Sequence, residues 1–409
     1  SLAYPENIKE AAQELIKKVD FDFLFSYFGM LDDPKCKPYE ELLTGSPQPV
    51  PDHVHPDPDA PLVIIFTSGS TGIPKGAVIS HKNTWSIVKA SVEAWGINSN
   101  DSVLVNMPTS HVAGTHDLIA IQLYAGATGI ICPKFDPQEV LEFISKYKIT
   151  YFGGVPTMYR IIMKKGNMTD YDLSSIRIAV VSGEPSPPEL IYKISSVFPQ
   201  AKIVASWGMS ETAGFFTFTK PDDPLEIAAN TEGAPGIGLQ MKIVKIDGTQ
   251  AQPGEIGEML VKGDSVISGY MDEESNKDAF VDGWLKTGDL GYLDENNYLH
   301  FAGRSKEMYI SGGYNVYPLE IESYLNACPG INTSAVIEIP HDIYGETGVA
   351  FIVPEEGADL NLEKVKQYIT EGLADYKRPS KIIIEKDIPK TLIGKINKKE
   401  LRKNIGKYL

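Results

Sequence analysis

Residues 62–76 read LVIIFTSGSTGIPKG. The run 62–66 is apolar and strand-sized, and the ten residues after it, TSGSTGIPKG, hold three glycines. Glycine lets a backbone turn tightly and approach a ligand closely, which is the use of Gly69 and Gly72 here. Thr67, Ser68, Ser70 and Thr71 supply hydroxyl donors, and Lys75 supplies a cation. A buried strand that opens into such a loop suits a polyphosphate. The loop is not a Walker A loop. There the lysine precedes a Ser/Thr that holds Mg²⁺, whereas Lys75 precedes Gly76.

Upstream, residues 45–61 (GSPQPVPDHVHPDPDAP) form a Pro/Asp-rich connector in which neither a helix nor a central strand can run. Before it, residues 6–18 have amphipathic helical spacing, and 21–28 are rich in phenylalanine. Downstream, short β-branched runs at 103–106, 129–132, 150–153, 176–181 and 202–205 alternate with helical spacing at 82–95, 137–147 and 187–197. Such alternation predicts a largely parallel, helix-covered sheet. From 232 to 303 the turns KIDG, PGEIG, VDGW and DENN separate short strands, which predicts an antiparallel β region, a small distorted barrel. After it come a helix at 318–327, strands at 333–339 and 348–353, a helix at 361–374 and a strand at 381–385, enough for a small α+β domain. The expected fold class is therefore α/β, with a large domain over 1–303 and a small one over 304–409.

Composition bounds the function. The chain has 409 residues, 38 Lys+Arg against 54 Asp+Glu, a net charge of −16 and 42% hydrophobic residues. That is ordinary globular composition with room for more than one domain. The acidic balance argues against a nucleic-acid partner, which needs clustered Lys/Arg. Cys36, Cys132 and Cys328 are far apart and match no zinc or disulfide spacing, so a reducing, cytoplasmic setting is expected. No apolar run reaches the length of a membrane span.

The loop, together with SGEP at 182–185, WGMSET at 207–212, KTGDLG at 286–291, GRSKEMYISGGYNVYPLEIE at 303–322 and PKTLIGKINKKEL at 389–401, resembles the adenylate-forming enzymes in order and spacing. That superfamily includes acyl- and aryl-CoA synthetases, firefly-type luciferases and peptide-synthetase adenylation domains. The resemblance implies ATP-dependent activation of a fatty or aromatic carboxylic acid to an acyl-AMP, then transfer to the thiol of coenzyme A. It assigns the triphosphate cradle to Thr67, Ser68, Gly69, Ser70, Thr71, Gly72 and Lys75, and Mg²⁺ to Glu211 and Thr71. Trp207 would stack on adenine, with Gly208, Met209 and Ser210 beside it and Ser182, Gly183, Glu184 and Pro185 as the other wall. Asp289 and Arg304 would hold the ribose. Lys395 would enter the site for adenylation, and His111, in MPTSHVAG, would gate the acyl pocket. Lys306 would be the hinge on which the small domain turns between half-reactions. Ser311, Gly312, Gly313 and Lys377 would lie along CoA.

There are departures from the family's pattern. Two residues before Trp207, where an amide is common, stands Ala205. Three after Lys395, where Arg is usual, stands Lys398. The segment before the cradle is much shorter than in the family, so the first subdomain is expected to be incomplete, with truncation favoured over a natural short form or a split enzyme. Exposed apolar surface, and with it self-association, a second chain or instability alone, is the corresponding expectation; the alternative is that residues 1–45 fold back and seal the gap. Two other readings stand beside the ligase: a nucleotide-binding subunit that depends on the missing segment, and an adenylating enzyme that loads a carrier protein.

Overall fold

The computed structural model describes residues 57–67, 74–358, 360–390 and 396–408, together with Thr44 and the backbone of 24–26 and 36–38. The helix expected over 6–18 and most of the aromatic run 21–28 lie outside them. Two compact units are present, Ser1–Asp57 and Pro58–Leu409. In the first, Leu24–Ser26 pairs in parallel with Cys36–Pro38.

The second unit begins with β1 (Pro61–Thr67) and β2 (Lys75–Ser80), an antiparallel ribbon whose register sets Thr67 opposite Lys75. This corrects one expectation. The run 62–66, expected to be a buried strand, is not buried throughout. Ile65 is 5% exposed, but Leu62, Ile64 and Phe66 are 47%, 41% and 64% exposed. In a ribbon packed on one face, alternate residues go to opposite sides, whatever their hydrophobicity.

A seven-stranded sheet follows. It contains β3 (Ser102–Val105), β4 (Thr128–Ile131), β5 (Tyr151–Gly154), β6 (Ile178–Ser182), β7 (Lys202–Met209) and β8 (Gly214–Phe218), ordered β8-β7-β6-β5-β3-β4, with Ala234–Pro235 at the β8 edge. From β4 to β7 every pairing is parallel, and β8 folds back antiparallel on β7. Alternate residues of these strands feed two cores. Val103, Val105, Val180 and Val204 pack with Ile87, Val88 and Trp95 of α1 (His81–Trp95). Leu104, Phe152, Ala179 and Val181 pack under α2 (Pro137–Tyr147), α3 (Pro156–Lys165) and α4 (Pro188–Val197). Burial on both faces is why β3, β5, β6 and β7 read as continuous apolar runs. β3 is followed by β4 on one side and β5 on the other, so the order reverses at β3. In open parallel sheets ligands lie beyond the strand ends at such a switch, and the segment leaving β3 carries His111.

The antiparallel region expected over 232–303 is a five-stranded sheet. It comprises β9 (Gln240–Val244), β10 (Gly257–Lys262), β11 (Trp284–Leu293), β12 (Leu299–Arg304) and the short Phe280–Val281. Beyond it, β13 (Tyr309–Ser311), β14 (Tyr314–Val316), β15 (Ile331–His341), β16 (Gly345–Pro354) and β17 (Lys381–Ile384) form the last sheet. It is flanked by α5 (Pro318–Asn326), α6 (Leu362–Gly372) and α7 (Lys398–Asn404). Two core clusters are built wholly from residues at and beyond Tyr309.

Candidate active site

The β7–β8 hairpin organises the site. Gly208 faces Phe215 across it, and a Cβ on Gly208 would lie 2.0 Å from the Gly214 carbonyl oxygen, so only glycine lets the strands close here. The tip is one 3₁₀ turn, Ser210–Thr212, pinned by Thr212 Oγ1, which donates to the Gly214 carbonyl at 2.7 Å. The hairpin thus holds Trp207 and Glu211 at fixed positions.

Trp207 is 7% exposed, and its Nε1 donates to Asp289 Oδ2 at 3.0 Å. Asp289, on β11, stands opposite Arg304 of β12, whose Nε lies 3.4 Å from Asp289 Oδ1. Burial raises the Asp289 pKa; Arg304 and the Trp207 N–H pull against it. Glu211 is 6% exposed, and its Oε1 accepts from Thr67 Oγ1 at 3.3 Å and from the Tyr270 hydroxyl at 2.9 Å. Lys75 Nζ sits over the Tyr270 ring, 5.2 Å from its centroid. Thr67, Lys75, Trp207, Glu211, Asp289 and Arg304, far apart in sequence, therefore meet as polar contacts around one hairpin. Tyr270 is the member the sequence did not reveal, because it stands in no motif. It is placed by main-chain contacts of the 269–271 segment with β2, including Met271 N–H to the Gly76 carbonyl at 2.9 Å.

The stretch 182–185 leaves the end of β6. Ser182 Oγ donates to the Ser206 carbonyl at 2.8 Å, which ties it to β7, and Gly183 has φ 87°. Glu184 Oε2 accepts from Thr157 Oγ1 at 2.9 Å. Ala205 is buried in the core behind the sheet. His111 is half-buried and caps the short helix Val112–Gly114, its Nδ1 accepting from the Ala113 N–H at 3.1 Å. A π-helical segment, Thr115–Ala120, follows and carries two buried titratable groups absent from the sequence expectations as site residues. His116 bridges Thr84 and Thr115, each at 2.9 Å, and burial pushes its pKa down to about 4. Asp117 Oδ1 accepts from the Phe215 N–H at 3.3 Å, and burial pushes its pKa up to about 8.

In the C-terminal part, Ser311 is buried and Gly312 and Gly313, at φ 58° and 87°, make the two-residue turn between β13 and β14. Tyr314, just after the turn, stacks on Tyr376 with centroids 4.5 Å apart, and Lys377 pairs with Glu320. The turn and Lys377 therefore adjoin one another. Lys306 is exposed. Ser68, Gly69, Ser70, Thr71, Gly72 and Lys395 lie outside the described residues.

The AMP-binding enzyme model matches residues 7–271, and the model of the AMP-binding enzyme C-terminal domain matches 320–395. The chain belongs to the AMP-binding enzyme family. Among its relatives, the indoleacetate–CoA ligase of Aromatoleum aromaticum is 34% identical over 371 residues, covering 90% of this chain and 72% of that protein. The feruloyl-CoA synthase of an Amycolatopsis species is also 34% identical, over 85% of this chain and 72% of its own length. Of solved structures, the o-succinylbenzoate CoA synthetase of Bacillus subtilis in complex with its acyl-adenylate intermediate superposes with a TM-score of 0.80 at 27% identity, covering 96% of this chain and 81% of that one. This AMP-binding enzyme is accordingly a ligase of the acyl-CoA synthetase type, and its fold is the adenylate-forming α/β fold. No helix among the described residues is long and apolar enough to cross a membrane.

Proposed function

We propose that this enzyme activates a carboxylic acid with ATP and passes the acyl group to the thiol of CoA. One observation carries the reading: a single hairpin joins an aromatic face, Trp207, and a buried carboxylate, Glu211, to the strand ends that open the glycine-rich loop, Thr67 and Lys75. A free carboxylate is a poor electrophile because its leaving group would be oxide. In the first half-reaction a carboxylate oxygen attacks the α-phosphorus, the bond to the bridging oxygen breaks, and pyrophosphate leaves. In the second, the thiol sulfur attacks the acyl carbon, AMP leaves and the thiol proton is lost. The protein's part is positioning and charge stabilisation.

Adenine would lie on Trp207 and against the 182–185 turn, with the ribose hydroxyls on Asp289 and Arg304. Asp289 has one oxygen on the indole N–H and the other toward Arg304, which is suited to accepting a diol in place of the arginine. Glu211 fits Mg²⁺. It is a hard oxygen donor whose contacts are the neutral hydroxyls of Thr67 and Tyr270, and no cluster of three acidic, His or Cys side chains accompanies it among the described residues. Phosphate oxygens and water would complete the coordination, as is usual for this ion, which would supply charge neutralisation. Thr71 is assigned as its second contact by resemblance. His111 lies in the segment that leaves β3, where the strand order reverses, and would border the acid. Lys395, as a compact cation, would meet the acyl and α-phosphate oxygens during adenylation.

Lys306 would be the hinge between domains 1–303 and 304–409, and the Gly312/Gly313 turn with Ser311 and Lys377 would meet the pantetheine side of CoA. The named relatives suggest an aryl-substituted acid. A cytoplasmic location belongs to the same reading, since Cys132 and Cys328 are free, buried thiols. Self-association through the apolar face of the β1–β2 ribbon belongs to it too. The deciding test is pyrophosphate release with indoleacetate, ferulate and octanoate, with and without CoA. The reading expects release for at least one acid, with CoA raising turnover and yielding the thioester. Nucleotide binding with no release for any acid would favour a binding subunit.

A further inference from the structure

Two sets of contacts flank Lys306. Upstream, Ser305 gives both its N–H (2.9 Å) and its Oγ (3.0 Å) to the Gly288 carbonyl, and Arg304 faces Asp289, so the chain through Ser305 is held to β11. Downstream, Glu307 Oε2 accepts from Lys398 Nζ at 2.7 Å, and the same ammonium reaches Glu322 Oε1 at 2.8 Å. Glu322, on α5, is 7% exposed, and its Oε1 also accepts the Val336 N–H at 2.6 Å. Burial works against the Lys398 ammonium, but the Glu322 and Glu307 carboxylates outweigh it and its pKa is raised. One turn further along α7, Arg402 is bidentate to Glu338 of β15, both bonds 2.7 Å. The start of α7 is thus tied at once to the residue after Lys306, to α5 and to β15. The segment just ahead of α7 is pinched as well: Ile396 bridges Lys390, and the Asn397 N–H donates to the Pro389 carbonyl at 2.8 Å.

We propose that Glu307, Lys398 and Glu322 form a strut that makes the hinge-side chain and α7 move as one body, with Lys398 a positioning residue for the adenylation half-reaction. A point cation with rotatable donors can serve two carboxylates that converge from different elements. A buried ion pair adds little net stability but punishes any other arrangement, so its value lies in fixing geometry. The strut joins the first residue past Lys306 to the third residue past Lys395, so rotation at the hinge is delivered to the adenylating edge without slack. The inference rests on the proposed reaction, in which Lys395 serves adenylation.

The test compares Glu307→Gln, Lys398→Arg and Lys395→Ala, using whichever of indoleacetate, ferulate and octanoate releases most pyrophosphate. Glu307→Gln leaves Lys398 paired one-to-one with Glu322, which preserves a balanced core. It should lower acyl-AMP formation by about 10- to 100-fold, the scale of a displaced reacting group. Thioester formation from supplied acyl-AMP, and AMP affinity, should stay near wild type. Lys398→Arg should retain adenylation. In Glu307→Gln, hydrogen exchange should quicken at amides of 398–404 and 307–309 but not at 289–291. Equal loss of both half-reactions, no loss of either, or unchanged exchange at 398–404 would each overturn the strut. Lys395→Ala with adenylation intact would instead remove the proposed role of Lys395, and the exchange result would still decide the strut.

Discussion

At Asp289 one carboxylate accepts the indole N–H of Trp207 and faces Arg304 while 8% exposed. Asp289→Ala strands the buried Trp207 N–H and removes the ribose acceptor, so AMP affinity should fall by about 1–3 kcal/mol, read by calorimetry. Undiminished affinity would sink the ribose assignment. Glu211→Gln keeps the hydrogen bond from Tyr270 but loses the charge, so Mg²⁺ should no longer enhance ATP binding, while metal-free AMP binding is unchanged. Three further residues set a pH profile. Asp117 keeps its proton in the folded chain up to about pH 8, whereas an unfolded aspartate loses it near 4. The folded state therefore binds the extra proton between those values, and stability falls as pH rises through them, by up to about 1.4 kcal/mol per pH unit. Glu232, which burial also pushes up to about 8, adds a term of the same sign. His116 acts oppositely: neutral in the fold down to about 4, it costs stability as pH drops below about 6.5. His116 offsets one carboxyl in acid but not above 6.5, so the melting temperature should decline from pH 6.5 to 8. Asp117→Asn should make that decline shallower by one proton, and an unchanged slope would contradict the buried neutral acid.

At the scale of elements, the two halves of the reaction should come apart. Gly313 holds φ 87° at the β13–β14 turn. Gly313→Val would strain that turn and crowd the proposed thiol approach, so thioester formation should slow while acyl-AMP formation persists in single-turnover assays. Lys395→Ala should do the reverse, lowering acyl-AMP formation by about 10²–10³-fold. What the sequence made legible follows from how each element is stabilised. Ile178–Ser182, buried on both faces, and Pro137–Tyr147, with a clear cap at Asp136, are found within two residues of expectation, whereas Lys202–Met209 runs four residues past the expected end at 205. β8 escapes because its residues, GFFTF, follow the hairpin turn with no punctuation beyond glycine. α3 escapes because it starts at a proline directly after a strand, and the π-helical segment because its period is not 3.6. The site motifs are visible as residues, but Tyr270 on Glu211 and Lys398 between two carboxylates are tertiary facts with no local period to show them.

For the whole molecule, the apolar residues Leu62, Ile64 and Phe66 lie side by side on the open face of the β1–β2 ribbon. A face of that kind favours association. Light scattering should show concentration-dependent self-association that the double substitution Leu62→Lys, Ile64→Lys reduces. A dispersed monomer at all concentrations would refute it. The hydrogen bond from Trp207 to Asp289 also has an optical meaning. Of the four tryptophans, Trp85 is 60% exposed, Trp95 is locked in an aromatic cluster with Phe215 and Phe218, and Trp284 lies beneath the Lys242 ammonium. Among the described residues, Trp207 alone couples its indole N–H to a carboxylate that the nucleotide would claim. Its emission should therefore dim and shift in colour as the ribose and base arrive, and the protein would carry its own occupancy gauge: a fluorescence titration needs no label, and Trp207→Phe should leave the other three indoles silent to nucleotide.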